Sequence, residues 1–156
     1  MTPTIRRAGV GDLALIHQLL TEMAADEGAQ IESTQDSLRQ HGFGERPQFR
    51  TLLAEGDAAL GLILFFPEYS TWRGKMGVFV QDLYLRKAAR GSGLGRALLA
   101  AAFRDAADWD PHFLTLMVEH KNTSARGFYT RMGFTRRGKA DPLILTGEGL
   151  AALNTP

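Results

Sequence analysis

The chain has 156 residues, 44% hydrophobic and 22% charged, with a net charge of +1, a balance that suits one ordinary folded domain and argues against both disorder and general nucleic-acid binding. It contains no cysteine, which excludes disulfides, thiolate metal sites and a cysteine nucleophile. The longest apolar run, Ala58 to Phe66, is strand-sized and interrupted by Gly61, far short of the ~20 residues of a membrane helix; with no charged leader before an apolar stretch, a cytoplasmic location is the expectation.

Thr4 to Arg7 reads as a short first strand, and Asp12 offers a helix N-cap before Leu13, Ile16, Leu19, Leu20 and Met23, which share one helical face. A second, short helix is expected from Ser33 to His41, stopped at Gly42. Arg50 to Ala54 and Ala58 to Phe66 read as strands around the tight turn Glu55-Gly56-Asp57, and Gly74 marks a further turn before a long strand from Met76 to Leu85. Two antiparallel hairpins follow from this order. A helix from Leu94 to Ala107, a break at Asp110-Pro111 and a strand from Phe113 to Val118 come next. Asn122 or Thr123 can cap a helix running to Met132 and closed by Gly133. Phe134 to Lys139 and Leu143 to Thr146 read as final strands, with Asp141-Pro142 between them. One mixed α/β domain over residues 1–156 accounts for the whole pattern.

The stretch Arg90-Gly91-Ser92-Gly93-Leu94-Gly95-Arg96 joins the long strand to the helix that follows. Glycines there bare backbone N–H groups at a helix N-terminus, where unpaired donors and the helix dipole favour a phosphate or diphosphate. A dinucleotide fingerprint from Gly91 would need glycine where Arg96 stands, and no glycine-lysine followed by serine or threonine occurs for a triphosphate loop. A glycine-rich turn that merely opens a helix fits this stretch as well.

The remaining pattern, Arg-x-x-Gly-x-Gly directly after a strand, resembles that of GNAT acetyltransferases, and three further segments extend the likeness, of which Gly-Phe-Gly-Glu and Tyr-Ser-Thr-Trp point to the small diamine and polyamine type. The three segments are Gly42-Phe43-Gly44-Glu45-Arg46-Pro47, Tyr69-Ser70-Thr71-Trp72 leading to Asp82-Leu83-Tyr84-Leu85, and Asn122 through Phe128-Tyr129 to Gly133. The resemblance implies a mostly antiparallel, splayed α/β sheet flanked by helices, opening between the strands that end near Leu85 and Val118. The pantetheine arm of acetyl-CoA would lie there, paired with the backbone of Leu83, Tyr84 and Leu85. Gly91, Ser92, Gly93, Leu94, Gly95, Arg96 and Ala97 would wrap the diphosphate and Arg90 would add a charge, while Asn122, Ala125 and Phe128 would also face the cofactor. Plain N-capping explains Asn122 almost as well.

By the same resemblance, Tyr129 would protonate the departing thiolate after direct attack by a primary amine, and an amide near Leu83 would stabilise the oxyanion. Read from the residues alone, the pair Phe128-Tyr129 in an amphipathic helix is ordinary core, its hydroxyl bonded to some backbone acceptor. For the base, the resemblance favours Asp82 over Glu119. Asp26 and Glu27, closing the first helix, are candidates for holding the substrate cation, although a polar helix end explains them too.

Two departures matter: Gln81 stands where those enzymes tend to have glutamate, and Arg136-Arg137-Gly138-Lys139 replaces an acidic stretch. Basic residues facing a polyamine would repel it over a screening length of ~8–10 Å, so a monoamine, an amino acid with a side-chain amine, or an acceptor bearing a carboxylate are the acceptors to consider. A non-catalytic acyl-CoA sensor and a protein or peptide acetyltransferase are the alternatives. The four histidines share no metal-ligand spacing, so no metal is expected. A homodimer is expected by analogy with the family, while the balanced charge and the short apolar runs point to neither nucleic acid nor membrane as partner.

Overall fold

Strand-forming runs draw five segments into one sheet, whose strands lie side by side in chain order: β1 (Thr4–Arg7), β2 (Arg50–Glu55), β3 (Ala59–Ser70), β4 (Lys75–Leu85) and β5 (Pro111–Leu116). Within the sheet, β2 and β3 are buried on both faces over the continuous apolar runs Leu52 to Ala54 and Leu62 to Phe65. The first four pair antiparallel, and β5 runs parallel to β4. The computed structural model describes residues 2–140 and 142–153. They divide into two compact units, Met1–Met117 and Val118–Pro156.

In the first unit, helix α1 (Leu13–Asp26) buries Leu13, Ile16, Leu19, Leu20 and Ala24. That stripe, with Leu38 of helix α2 (Gln35–Gly42), packs on Leu53, Leu62, Leu64 and Tyr84, and Met23 lies partly buried against it. Successive strand residues point to opposite faces, so Leu52, Ile63 and Phe65 serve the other side, where helix α3 (Leu94–Asp105) buries Leu98, Leu99 and Ala102. The helical stripe of α1 and the two antiparallel hairpins thus meet the sequence expectation. Element ends shift by a few residues: α2 begins after Thr34, whose hydroxyl caps Ser37 N–H at 3.1 Å, and β5 starts at Pro111 and stops at Leu116. The last residues expected in α3 tighten into a 3-10 turn, Ala106–Trp109.

Asp12 does not cap α1 as expected. Its carboxylate accepts from Gly9 N–H at 2.7 Å and from both terminal nitrogens of Arg6 at 2.8 Å. Arg6 reaches Glu55 as well, so the residue expected to cap a helix instead ties β1 to the start of α1. On the other side, Arg50 bonds Asp108 at 2.8 and 2.6 Å and the Asp105 carbonyl at 2.8 Å, and lies 4.3 Å from the Trp109 ring centre. This arginine fastens the end of α3 to β2.

The second unit contains helix α4 (Thr123–Arg131) and the short helix α5 (Gly147–Ala152). The expected strands Phe134 to Lys139 and Leu143 to Thr146 do not form. A strand needs a partner ladder, and among the described residues this unit offers none: Leu143 and Ile144 are 95% and 88% exposed. The intended break at Asp141-Pro142 includes Asp141, which lies outside the described residues.

Candidate active site

The connection from β4 to α3 begins with a 3-10 turn, Lys87–Ala89, and then passes through Gly91 at φ 75° and Gly93 at φ 83°. Both values lie in the left-handed region that side chains resist, which is why glycine occupies these positions. Ser92 fixes the bend by donating its hydroxyl to the Ala89 carbonyl at 2.6 Å. Ala97 N–H closes the first helical turn onto Gly93 at 3.1 Å. Among the described residues, the amides from Gly91 to Arg96 have no protein acceptor. They form a row of donors at the positive end of α3, with Gly91, Ser92 and Gly93 exposed and Leu94 and Gly95 buried beneath. Such a row suits an anion with several oxygens. The Arg96 side chain is exposed and Ala97 is partly covered.

A second feature lies along β4. Its ladder with β5 ends at Val80 opposite Leu116, whereas β4 continues to Leu85. The stretch from Gln81 to Leu85 is therefore without a β5 partner, an open edge at which alternate backbone groups are free to bond an extended ligand. A bulge accompanies the opening: Leu64 faces Asp82 and Phe65 faces Val80, so exposed Gln81 is the extra residue. Paired residues on neighbouring strands point to the same side, and the bulge therefore turns Asp82 and Tyr84 to the α1 face while Val80 stays on the α3 face.

Asp82 is largely withdrawn from water without a hydrogen-bonding partner among the described residues. Burial, with the negative charge of Glu27 adding to it, pushes its carboxyl up to about 6. The structure thus brings together two of the sequence candidates, one from β4 and one from the end of α1. Tyr84 is buried at 7% exposure; desolvation first, then Asp26 and Glu22, push its phenol up.

Asp26 and Arg90, expected at the substrate and the diphosphate, are paired with each other in this structure. Arg90 Nη2 donates to Asp26 Oδ2 at 2.7 Å and Nε to the Leu85 carbonyl at 2.8 Å, the guanidinium lying 5.8 Å from the Tyr84 ring centre. One helical turn earlier, Glu22 takes both Nε and Nη2 of Arg86 at 2.8 and 2.7 Å, while Arg86 Nη1 reaches the Ala59 carbonyl at 2.9 Å. Sequence reading missed Glu22 and Arg86. The usable signal was the matched spacing of four between acids on the helix and arginines in the loop.

In the second unit, the Asn122 side chain caps α4 by accepting from Ala125 N–H at 3.1 Å. The capping role weighed for Asn122 is thus realised, and it engages the Ala125 amide. Phe128 and Tyr129 meet edge to face at 5.1 Å, and Tyr129 meets Phe134 similarly at 5.3 Å. Burial pushes the Tyr129 phenol up to about 12, so it keeps its proton at neutral pH. Among the described residues its hydroxyl has no hydrogen-bond partner, unlike the backbone-bonded core tyrosine that the helix pattern also allowed. Glu119 is exposed and paired with Lys121 at 3.2 Å. Arg136, Arg137 and Lys139 are exposed in irregular chain around Gly138. Among the described residues no group of three or more His, Asp or Glu side chains gathers as metal ligands would, and no helix is long and apolar enough to cross a membrane.

The family model described as "Acetyltransferase (GNAT) family" matches residues 13–134. The chain is 31% identical over 140 residues to the thialysine N-epsilon-acetyltransferase of Bos taurus, covering 83% of this chain and 82% of that protein. It is 32% identical over 145 residues to the L-methionine sulfoximine/L-methionine sulfone acetyltransferase of Pseudomonas aeruginosa, covering 89% and 84%. An integron cassette protein from the mobile metagenome of V. cholerae has the same fold, with a TM-score of 0.81 at 20% identity over 100% of this chain and 99% of that one.

Proposed function

The chain belongs to the GNAT acetyltransferase family and is an acetyl-CoA-dependent N-acetyltransferase; we propose that it acetylates the primary amine of a small molecule by direct attack while both substrates are bound. The observation that carries this reading is the row of amides from Gly91 to Arg96, which has no protein acceptor among the described residues and suits the diphosphate of acetyl-CoA. The unpaired edge from Gln81 to Leu85 would receive the pantetheine arm, mainly through Leu83 and Tyr84, because the Leu85 carbonyl already accepts from Arg90. Asn122, Ala125 and Phe128 are also proposed to face the cofactor.

Asp82 is the proposed base. An alkylammonium must lose a proton before its lone pair can attack, and a carboxyl raised to about 6 can take that proton at neutral pH more readily than an ordinary aspartate. The nitrogen then bonds the thioester carbon, and the developing oxyanion is held by a β4 amide near Leu83. Collapse breaks the carbon–sulfur bond, and Tyr129 gives its proton to the sulfur. Glu27 supplies a second negative charge for the substrate cation, whereas Glu119, exposed and paired with Lys121, is the weaker candidate. Gln81 at the bulge removes one charge from this region, which favours a small amine, such as the amino acids named for the two enzyme relatives, over a long polyamine. A cytoplasmic homodimer completes the proposal; exposed Leu143, Ile144 and Leu153 offer apolar area for a second copy, testable by sedimentation.

Thiol release from acetyl-CoA across a panel of amino acids, diamines, polyamines and aminoglycosides tests the reading. Tyr129→Phe is expected to lower kcat by roughly 10²–10⁴-fold, the usual worth of a positioned acid, with acetyl-CoA affinity retained. An unchanged kcat would remove Tyr129 from the mechanism. Silence of the wild type across the panel despite tight acetyl-CoA binding would favour a sensor.

A further inference from the structure

We propose that Arg90 is a positioning residue and not a phosphate ligand: with Arg86 it forms two charged rungs that fasten the diphosphate loop to the end of α1. The inference rests on the reading of Gly91 to Arg96 as the acetyl-CoA diphosphate site.

The rungs share a layout, although Glu22 takes two nitrogens of Arg86 and Asp26 only one of Arg90. Glu22 and Asp26 stand one turn apart on α1, a spacing that puts them on the same face, and Arg86 and Arg90 flank the turn Lys87–Ala89. Each acid meets the arginine 64 positions further along the chain. Both guanidinium groups also bond a strand carbonyl, Arg86 that of Ala59 and Arg90 that of Leu85. Arg90 is thus held from two directions at the residue immediately before Gly91. Turning it toward a phosphate would break the Asp26 pair and the Leu85 bond together. The glycines that follow give the loop its left-handed turns but no rigidity of their own, so a loop whose amides must converge on one anion needs an external anchor. The helix carrying Asp26 and Glu27 supplies it, and the donor loop and the acceptor side of the site are thereby set in one register.

Titration calorimetry with acetyl-CoA alone, the amine omitted, separates positioning from ligation by the sign of one result. If Arg90 positions the loop, Asp26→Asn weakens acetyl-CoA binding, as does Arg90→Gln, each by roughly three- to fivefold for a half-exposed ion pair. The double variant is then no weaker than the worse single one. Glu22→Gln moves affinity the same way through the other rung. Arg90→Lys recovers only part of the loss, since an ammonium cannot span both acceptors. KM for acetyl-CoA rises more than KM for S-acetylpantetheine, which lacks the diphosphate, whereas a general loss of structure would raise both; thermal unfolding of each variant accompanies the titrations. Unchanged or tighter binding by Asp26→Asn would overturn the proposal, because a freed ligand arginine would gain access to the phosphates. A wild type that does not bind acetyl-CoA would instead overturn the functional reading beneath it, before any substitution is made.

Discussion

Replacing Asp82 by asparagine tests the base and the burial of its charge in one variant. Its carboxyl is raised from 3.8 to about 6 by desolvation, with Glu27 contributing. The folded state therefore holds a proton that the unfolded chain releases, and ionising Asp82 in place costs up to about 3 kcal/mol, at roughly 1.4 kcal/mol per pH unit. The sign follows: the stability linked to the neutral carboxyl is fully present below pH 3.8 and is lost as pH rises through about 6. Asparagine stays neutral throughout. Asp82→Asn is accordingly expected to match the wild type near pH 3.5 and to exceed it at pH 8 by about 1–3 kcal/mol, a Tm gain of several degrees for a chain of this size. Activity should move the other way. Wild-type kcat/KM for one fixed amine should fall below pH about 6, and the variant should lose that acidic limb together with roughly 10²–10⁴-fold of rate. Thermal melts at the two pH values and a pH–rate profile decide the matter. An acidic limb that survives in the variant near wild-type rate would refute Asp82 as the base, and equal Tm differences at both pH values would refute the burial argument.

Three further outcomes probe the scaffold. Gly61→Ala is expected to destabilise the protein by more than about 2 kcal/mol, because the new Cβ would run into the Tyr84 carbonyl at the β3–β4 crossing; urea unfolding measures it, and a neutral result would show that the strands separate freely there. Thr51 is buried at 2% exposure and its hydroxyl has no partner among the described residues, so Thr51→Val should be neutral or stabilising by up to about 1 kcal/mol, and a clear loss of stability would reveal an unseen partner for the hydroxyl. Arg6→Met removes the group that lowers Asp12 to about 2. The Asp12 contribution is present above pH 3.8 and lost as pH falls toward about 2, so the variant should be weaker at pH 7 and converge on the wild type in acid, as followed by urea midpoints at the two pH values.

The parts of this fold that the sequence displays are those governed by local rules. The stripe Leu13, Ile16, Leu19, Leu20 is a helical period, the hairpins carry their own turn residues, and Gly91 and Gly93 mark left-handed backbone. What stays hidden depends on partners distant in the chain. Nothing local shows that Gln81 is the bulged residue, yet that bulge decides which face Asp82 takes. Arg90 next to a glycine loop looks free to bind phosphate until α1 brings Asp26 to it. Asp12 reads as a cap because the residues after it are helical, but a stronger claim comes from Arg6. Leu143 to Thr146 has the composition of a strand and, among the described residues of its own unit, no strand to pair with. The glycine loop was therefore legible as a motif, whereas the pairing of Arg90 with Asp26 and the burial of Asp82 were not.

The central claim is that acetyl-CoA, seated on the amides ahead of α3, passes its acetyl group directly to a small amine. Rapid-quench mass spectrometry of enzyme mixed with acetyl-CoA, with and without an active amine, tests this most directly. The account predicts acetylated amine and free CoA forming together, with no thiol release and no acetylated protein when the amine is omitted. An acetyl group found on the enzyme itself, formed before the amine is added and then transferred to it, would contradict the account.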